Sequence, residues 1–294
     1  MGSKLDTRAI GLDVGLTFIR WLTGAENLHY GLWTGLEVTA GNLRAAQDAY
    51  TAKLFKLLPK KPARILDIGG GAGETAKKLL ALGHAVDIVV PSAFLAGRCR
   101  ANAPKARIHE CTFEAFEGAE RFDICLFSES FQYIPLDIAL DKALALLRPG
   151  GALIIADCFR SEAYQGRAAH GAKPGGGHRL EQFRAALAAR PVEIAFEEDI
   201  TDAVAPSIDL EQGFFQVVGH GVTRIDGEMA GKRPWLRWVL VRLVALFLSA
   251  KRRAALLERL LQPARTAAEF RRFNRYLMLQ LRARPARAPR DAAR

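Results

Sequence analysis

Residues 65–79 constrain the fold of this chain more than any other segment. The segment opens with Ile65, Leu66 and Ile68, which are typical of a buried parallel strand. Four glycines follow within five positions, and the chain then resumes as a helix-compatible run that includes Leu79. A strand, a glycine turn and a helix start predict a cradle for a nucleotide-like ligand. Glycine lets a ligand approach the main chain, and the first helical turn has free N–H groups.

The spacing of the glycines distinguishes this cradle from a dinucleotide site. A dinucleotide turn requires the pattern Gly-x-Gly-x-x-Gly, but the positions that would complete it hold Glu74 or Ala76. An acid at the start of the helix would also repel a pyrophosphate. The pattern that the chain does carry is an acid followed by glycines at every second position: Asp67, Gly69, Gly71 and Gly73.

This pattern resembles motif I of the class I S-adenosylmethionine (SAM) methyltransferases. Two later segments resemble the same family in the expected order. Residues 122–130 are similar to its fourth strand, which begins Phe-Asp and ends in polar residues, and residues 147–157 are similar to its Leu-Arg-Pro-Gly-Gly turn into the fifth strand. The likeness covers about residues 60–200. Within the small-molecule enzymes, residues 27–33 loosely resemble the tocopherol, sterol and cyclopropane-fatty-acid branch.

The order of apolar runs predicts an α/β fold. Continuous apolar strands alternate with helices, which indicates a mostly parallel sheet covered on both faces. The resemblance implies a Rossmann-like sheet of seven strands with an antiparallel last strand. We expect five regions: a helical N-terminal cap (1–62), a SAM-binding core (63–199), a helical insertion or acceptor lid (200–273), the last strand (274–283) and a disordered tail (284–294).

The resemblance also implies SAM as the cofactor, bound at the carboxyl ends of the strands. The residues expected to bind it are Asp67, Gly69, Gly70, Gly71, Gly73, Val90, Ser92, Thr112, Glu114, Ser128 and Glu129. Val90 stands where most members have an acid for the ribose hydroxyls, so Ser92 or Asp87 is left to serve instead. Thr112 or Glu114 is expected near the adenine amino group, although Glu114 also fits an ordinary solvated loop acid.

Methyl transfer from a sulfonium is an in-line displacement, so a protein mainly aligns the acceptor and, where needed, removes its proton. The candidate bases follow the strand ends: Glu129, Tyr133, Asp157 and His178. His178 is the leading candidate, because histidine titrates near neutrality and a glycine-rich loop precedes it. The alternative is that His178 merely flanks the next helix.

The four cysteines form no CxxC pair and no Cys/His pattern with metal-ligand spacing. This predicts free thiols in a reducing cytoplasm and no metal site. Cys125 and Cys158 lie in strand-like apolar runs, where buried thiols are common.

The positive charge is concentrated in the C-terminal quarter. Residues 231–294 hold 17 Lys or Arg against 3 Asp or Glu, whereas the rest of the chain is slightly acidic. An anionic lipid surface, nucleic acid or a simply solvated set of basic helices would each fit this pattern. The chain lacks the Asn/Asp-Pro-Pro-aromatic run of enzymes that methylate a flipped base, which argues against nucleic acid.

Residues 234–249 are the most apolar part of that quarter. The run is too short for a membrane span of about 20 residues, and Arg237 and Arg242 interrupt it. It predicts a helix lying on a bilayer, a lid over a greasy acceptor, or a buried core helix. The first two readings favour a lipophilic acceptor such as a quinone, isoprenoid, polyketide or lipid-like molecule.

The sequence therefore predicts a SAM-dependent methyltransferase that acts on an O, N or C atom of a small lipophilic acceptor. We expect it in the cytoplasm, with peripheral contact at the inner membrane face left open. The alternatives are a non-methylating SAM-fold enzyme or binding protein, which Val90 keeps open, and an RNA methyltransferase. The sequence does not indicate an oligomeric state.

Overall fold

The computed structural model describes residues 7–118, 121–164, 176–261 and 265–284. Its centre is a seven-stranded sheet in the order β3-β2-β1-β4-β5-β7-β6. The strands are β1 Arg64–Ile68, β2 Ala85–Val89, β3 Arg107–His109, β4 Phe122–Ser128, β5 Leu147–Arg160, β6 Val192–Asp199 and β7 Asn274–Ala283. Strand β7 lies antiparallel between β5 and β6, and the other pairs are parallel. The predicted fold class, including the antiparallel last strand, is confirmed.

Helices cover both faces of the sheet and fill the interval between β6 and β7. They are α1 Thr7–Thr23, α2 Leu43–Phe55, α3 Glu74–Ala81, α4 Ala93–Asn102, α5 Leu136–Leu146, α6 Leu180–Ala188, α7 Thr201–Val204, α8 Pro206–Lys232, α9 Pro234–Phe247, α10 Ala250–Leu261 and α11 Ala267–Phe273. Within the described ranges, none of them combines the length and the hydropathy needed to cross a bilayer.

The continuous apolar runs are explained by burial on both sides of the sheet. Ile65, Ile124 and Ile154 face a layer that includes residues of α2, α3 and α4. Leu66 and Phe127 face the opposite layer, which α5 and α6 complete. Because successive side chains of a strand point to opposite faces, a strand covered on both faces must be apolar at nearly every position.

Strand β5 begins earlier than the sequence predicts. The Leu-Arg-Pro-Gly-Gly segment was expected as a turn, but β5 already includes it. Leu147 pairs with Phe122 and Ala152 pairs with Ile124, so four residues of β5 stand opposite one residue of β4. Gly150 has a φ of 80° in this stretch. The segment is therefore an irregular start of the strand, and the proline and glycines allow the bulge.

Residues 24–36, which we call the cover segment, follow α1 and form hydrogen bonds to α2, α7 and α8. The backbone N–H of Leu32 donates to Ala46 of α2, and that of Trp33 donates to Ala203 of α7. The Ser207 hydroxyl at the start of α8 accepts from the Gly31 N–H at 3.0 Å and from the Trp33 indole at 2.8 Å. The cover segment is thus held between the N-terminal helices and those that precede β7.

The predicted division into five regions stays a prediction. Helices α7–α11 lie between Thr201 and Phe273, within the range predicted for the insertion. The expected disordered tail lies outside the described residues, apart from Arg284, whose N–H donates to Pro191.

Replacing Ser207 with alanine should weaken the attachment of the cover segment. The change leaves the buried N–H groups of Gly31 and Trp33 without their acceptor, which costs about 1–3 kcal/mol. Urea unfolding should show a free energy of unfolding lower by that amount. Thr34→Ala is the matched control, because Thr34 is exposed in the same segment and its loss should have almost no effect. Equal stability of the two variants would contradict this role for Ser207.

Candidate cofactor and acceptor site

The glycine turn after β1 adopts a conformation that side chains resist. Gly69, Gly71 and Gly73 have φ values of 76°, 55° and 88°, in the left-handed region. A Cβ atom on Gly69 would lie 2.4 Å from the Cβ of Ser130, and one on Gly73 would lie 3.0 Å from the Cα of Cys99. The turn is therefore packed against both the end of β4 and α4, and glycine is required at both contacts.

Gly71 differs from its neighbours because there is room above it. A Cβ atom placed there would have one described atom within 4 Å, the Cδ1 of Leu28 in the cover segment, at 3.8 Å. The α3 helix then begins with Glu74, whose carboxylate accepts from the N–H of Glu26 at 3.4 Å. A carboxylate at this helix start repels phosphate, whereas a cationic ligand would be compatible with it.

Asp67 carries the chemical signal of the cradle. Its carboxyl group lies at the end of β1 and is 1% exposed, and Oδ2 has no hydrogen-bond partner among the described residues. Burial raises the pKa of Asp67 to about 7. A buried acceptor without a partner is costly, so this atom fits a donor or a positive charge supplied by a ligand.

These features fit SAM, which carries an ammonium group, a sulfonium and a nucleoside. Asp67 and the glycines at 69, 70, 71 and 73 lie together in one turn, and the acid at the start of α3 adds negative charge beside it. On Gly70, a Cβ atom would lie 2.7 Å from Oδ2 of Asp67, so a larger residue would block that carboxylate. The individual contacts with the cofactor stay predictions.

The end of β2 gives the ribose no obvious acid. The side chain of Val90 is buried in the core, and its N–H donates to His109. Ser92 caps α4, because its hydroxyl accepts from the N–H of Leu95 at 3.4 Å. Asp87 binds Arg64 at 3.1 Å and His109 at 2.9 Å, which engages its carboxylate within the sheet. Of the two proposed substitutes, Asp87 lies within β2 and Ser92 lies beyond its carboxyl end, and the role of either at the ribose stays a prediction.

Residues 111–118 form a turn anchored by the buried rings of Phe113 and Phe116. Thr112 and Glu114 are both exposed. The Thr112 hydroxyl accepts from the N–H of Ala115 at 3.3 Å, and the Glu114 carbonyl accepts from Lys142 at 2.8 Å. Their suggested role at the adenine stays a prediction.

Glu129 is the most unusual residue near the cradle. It follows β4 with a φ of 58°, which is uncommon for a residue with a side chain. Its Oε1 accepts from the Tyr30 N–H at 2.8 Å and from the Tyr276 hydroxyl at 2.9 Å. Burial raises the pKa of Glu129 to about 8; the Tyr30 hydrogen bond opposes this shift, and the charge of Asp157 adds to it.

Two tyrosines extend the hydrogen bonds of Glu129, and a histidine ring stacks on one of them. The Tyr276 and Tyr50 hydroxyls are 2.8 Å apart, and Tyr50 lies 3.2 Å from the hydroxyl of Ser128. The His29 ring stacks on Tyr50 with centroids 4.5 Å apart. Burial lowers the pKa of His29 to about 4 and raises the pKa values of both tyrosines. The cluster is therefore neutral at pH 7 apart from any charge on Glu129.

Both carboxylate oxygens of Asp157 accept hydrogen bonds from neighbouring residues. Its Oδ1 accepts from the Gln132 side chain at 2.9 Å and from the Cys158 N–H at 2.7 Å, and its Oδ2 accepts from the Gln132 N–H at 3.1 Å. Burial raises the pKa of Asp157 to about 7, although these hydrogen bonds lower it. With its oxygens engaged in this way, Asp157 is better suited to holding the turn after β4 than to moving a proton.

The structure separates the other two candidate bases from this cluster. Tyr133 is 72% exposed. His178 lies half-buried with Nε2 3.2 Å from the Phe131 carbonyl oxygen, and its ring meets the Phe131 ring edge-on at 5.3 Å. The preceding glycine-rich loop lies partly outside the described residues. This geometry fits the structural alternative for His178 better than a catalytic role.

Sequence reasoning missed Tyr50, Tyr276 and Arg265. Arg265 donates to the Tyr30 hydroxyl at 3.3 Å and lies 3.8 Å from Glu211. Tyr276 is 147 positions from Glu129, so local spacing holds no signal for their contact. The one available signal was composition, since the chain has five tyrosines and three of them, Tyr30, Tyr50 and Tyr276, lie in this cluster.

The cysteine predictions can be compared with the described part of the chain. All four cysteines are free, and Cys125 and Cys158 are buried, as predicted. Among the described residues, no group of three His, Cys, Asp or Glu side chains could hold a metal ion.

Asp67→Asn should weaken SAM binding tenfold or more. The change keeps the shape of the side chain but removes the negative charge, and a hydrogen bond to a charged group contributes about 1.5–3 kcal/mol. Isothermal titration calorimetry with SAM at pH 8 measures the affinity. The control is Asp123→Asn, because Asp123 binds Arg64 and Arg148 at the other end of β4. Equal affinities in the two variants would exclude Asp67 as a ligand.

The stability of the protein should fall as pH rises from about 4.5 to 8. Burial raises the carboxyl pKa values of Glu129, Asp157 and Asp67, so the native state keeps protons that the unfolded chain has already released. Their contribution is complete below the unfolded pKa values and is lost as pH passes about 7 to 8. Glu129→Gln removes one of these groups and should make the decline shallower.

Urea unfolding at pH 5, 6, 7 and 8 measures this dependence. Glu198→Gln is the control, because that carboxylate is partly exposed and paired with Lys53. The control should reproduce the slope of the natural protein. A slope unchanged in Glu129→Gln would mean that this carboxyl group does not hold its proton near neutrality.

Comparison with protein families identifies the core of the chain. The family model described as "Methyltransferase domain" matches residues 42–190, which is half of the chain. A ubiquinone biosynthesis O-methyltransferase of Nitrobacter winogradskyi is 38% identical over 93 residues, covering 30% of this chain and 36% of that protein. One of Rhodopseudomonas palustris is 30% identical over 131 residues, covering 41% and 52%. The matches thus span about half or less of these relatives.

Solved structures share the fold over nearly the whole chain. The [4+2]-cyclase SpnF has a TM-score of 0.65 at 17% identity and covers 94% of each chain. The cyclopropane synthase MmaA2 of Mycobacterium tuberculosis has a TM-score of 0.65 at 18% identity, with 92% and 95% covered. A geranyl diphosphate C-methyltransferase of Streptomyces coelicolor, solved with S-adenosyl-L-homocysteine, has a TM-score of 0.60 at 13% identity, with 96% and 100% covered. Because this family model matches half of its length, the chain belongs to the methyltransferase domain family.

Proposed function

We propose that the protein transfers the methyl group of SAM to an O, N or C atom of a small lipophilic acceptor. The observation that carries the proposal is that the glycine cradle after β1 lies next to Glu129 after β4. Gly69 of the cradle packs against Ser130, and the residue before Ser130 is Glu129, with its raised pKa and its two tyrosine partners. A cofactor cradle and a buried proton acceptor therefore meet at the carboxyl ends of β1 and β4.

Glu129 is the proposed general base for acceptors that must lose a proton. SAM, when bound, supplies an electrophilic methyl group on a positively charged sulfur. A carboxylate with a pKa of about 8 is a stronger base than an ordinary glutamate and is still partly ionised near neutrality. Tyr276 donates to Oε1, and the Tyr30 N–H donates to the same atom, so both fix the direction of the carboxylate.

The cover segment is proposed to exclude water from the reacting groups. Leu28 approaches the open side of Gly71, and Tyr30 binds Glu129 through its N–H and Arg265 through its hydroxyl. A site closed in this way positions the acceptor and protects the base from solvent. Arg265 would then be available to orient an electron-rich group of the acceptor.

The names of the relatives support a lipophilic acceptor. Ubiquinone, geranyl diphosphate and cyclopropane products occur in the names of similar proteins. We infer a cytoplasmic enzyme in peripheral contact with the inner membrane face, where such acceptors dissolve. SpnF, named as a [4+2]-cyclase, has the same fold, and it keeps a non-methylating reaction as the second candidate.

Isotopically labelled SAM should give a labelled product when the protein is incubated with a lipid and phenolic extract. With that product as the assay, Glu129→Gln should lower kcat by about 100-fold or more, the usual contribution of a general base. The dissociation constant for SAM should stay within threefold. In the natural protein, kcat should rise with pH and level off above about 8, as Glu129 loses its proton.

Glu198→Gln and His178→Gln are the comparison variants. Both should keep kcat within tenfold, because one side chain pairs with Lys53 and the other lies against Phe131. Full activity in Glu129→Gln would remove that residue from the mechanism. SAM binding without any labelled product would favour the non-methylating alternative.

A further inference from the structure

Helix α9 exposes apolar side chains that nothing in the described chain covers. All fourteen of its residues are described, and none is buried. Trp235 and Trp238 are 63% and 62% exposed, and Leu246 and Phe247 are 78% and 82% exposed. A helix that is apolar around most of its circumference is normally buried. The reading of residues 234–249 as a buried core helix is therefore wrong.

The two arginines of α9 do not interrupt this surface. Arg237 turns toward α8, where its guanidinium binds Asp226 at 2.7 Å and 3.1 Å. Arg242 lies over the ring of Trp238, 5.3 Å from its centroid. Trp235, Trp238, Arg242 and Leu246 recur at helical spacing and form one face. We call this face, together with the neighbouring Leu243 and Phe247, the α9 ridge.

Helix α8, which contacts α9, is closely packed against α1 and α10. Helix α10 meets α8 at Gly219, where a Cβ atom would lie 2.2 Å from the carbonyl oxygen of Leu260. The ring of Phe18 in α1 packs at a tilt against the ring of Phe214 in α8, with centroids 4.3 Å apart. These contacts fix α8 between α1 and α10. Helix α9 is joined to α8 by the ion pair of Arg237 with Asp226.

The charge around the ridge selects its partner. Residues 231–261 contain eight Lys or Arg against a single acid, Glu258. Lys232 and Arg233 precede α9, and Lys251 and Arg252 at the start of α10 are exposed. A second copy of the chain would bring the same positive charge against itself. A lid over the acceptor would pack against the cofactor cradle, whereas Arg237 holds α9 against Asp226 of α8. An anionic surface satisfies both the charge and the apolar side chains.

We propose that α9 lies in the interface of an anionic phospholipid bilayer. A helix of fourteen residues is about 21 Å long, which suits the plane of the membrane and not a crossing of it. The ridge enters the boundary between headgroups and acyl chains, where tryptophan is favoured. Arg233, Lys251 and Arg252 contact the lipid phosphates, whereas Lys232 pairs with Glu228 of α8 at 2.6 Å. This docking rests on the proposed function only in that it brings the enzyme to a lipophilic acceptor.

Vesicle co-sedimentation of the full chain tests the docking without SAM or acceptor. The protein should bind vesicles of equal phosphatidylglycerol and phosphatidylcholine at least tenfold more tightly than vesicles of phosphatidylcholine alone. High salt should weaken that binding, since it screens the basic residues. Brominated lipids should quench tryptophan fluorescence, which reports the insertion of Trp235 and Trp238.

The combined variant Trp235→Ser, Trp238→Ser and Phe247→Ser should lose tenfold or more in vesicle affinity. The matched control is the triple variant Leu82→Ser, Ile138→Ser and Ile194→Ser. These three apolar residues are also exposed but lie outside α8–α10, so the control should bind vesicles as the natural protein does. Circular dichroism and thermal unfolding establish that both variants fold, as expected for exposed positions.

Three results would overturn the docking: no binding to anionic vesicles by the folded protein, equal loss in both triple variants, or a protein dimer that the ridge variant dissociates. The assay does not depend on methyl transfer. If vesicles are not bound but labelled product still forms, the docking alone fails. If vesicles are bound through the ridge but no product forms, the proposed reaction alone fails.

Discussion

One carboxylate oxygen joins three distant parts of this chain. Oε1 of Glu129 accepts from the N–H of Tyr30 in the cover segment and from the hydroxyl of Tyr276 in β7, while Glu129 itself directly follows β4. A buried carboxylate is costly unless donors surround it, and a side chain at a φ of 58° adds strain. Both unfavourable features, the buried carboxylate and the positive φ, occur beside the glycine cradle. The arrangement is more easily explained by chemistry at that position than by stability.

Glu129 and Asp157 divide two tasks between similar side chains. Both are buried with raised pKa values, and each disfavours the charge on the other. Asp157 receives three hydrogen bonds from Gln132 and Cys158, which hold it in place. Glu129 receives its bonds at one oxygen, and one donor is a tyrosine hydroxyl. When two acids cannot both ionise easily, the one with fewer fixed donors keeps its proton to higher pH and serves better as a base.

The sequence predicts the parts of this molecule whose causes are local. Parallel strands must be apolar on both faces, so β1 and β4 could be read directly, and the glycine turn follows from its own spacing. The contact between Glu129 and Tyr276 could not be predicted from the sequence, because it depends on the insertion of β7 between β5 and β6. Likewise, the hydropathy of α9 is the same for a buried helix and an exposed one. Its position depends on contacts between distant residues, such as the ion pair of Arg237 with Asp226 of α8.

The uneven charge of the chain resolves a conflict between its two proposed partners. SAM carries a sulfonium, an ammonium group and one carboxylate, so its net charge is positive, and we propose that Asp67 and Glu74 favour it at the cradle. An anionic bilayer needs the opposite field. Residues 1–230 are slightly acidic, and the basic residues follow from 231 onward. Salt screens exposed charges over about 8 Å, so each field acts locally. A chain with the same total charge spread evenly would weaken both the binding of a cationic cofactor and the attraction to a membrane.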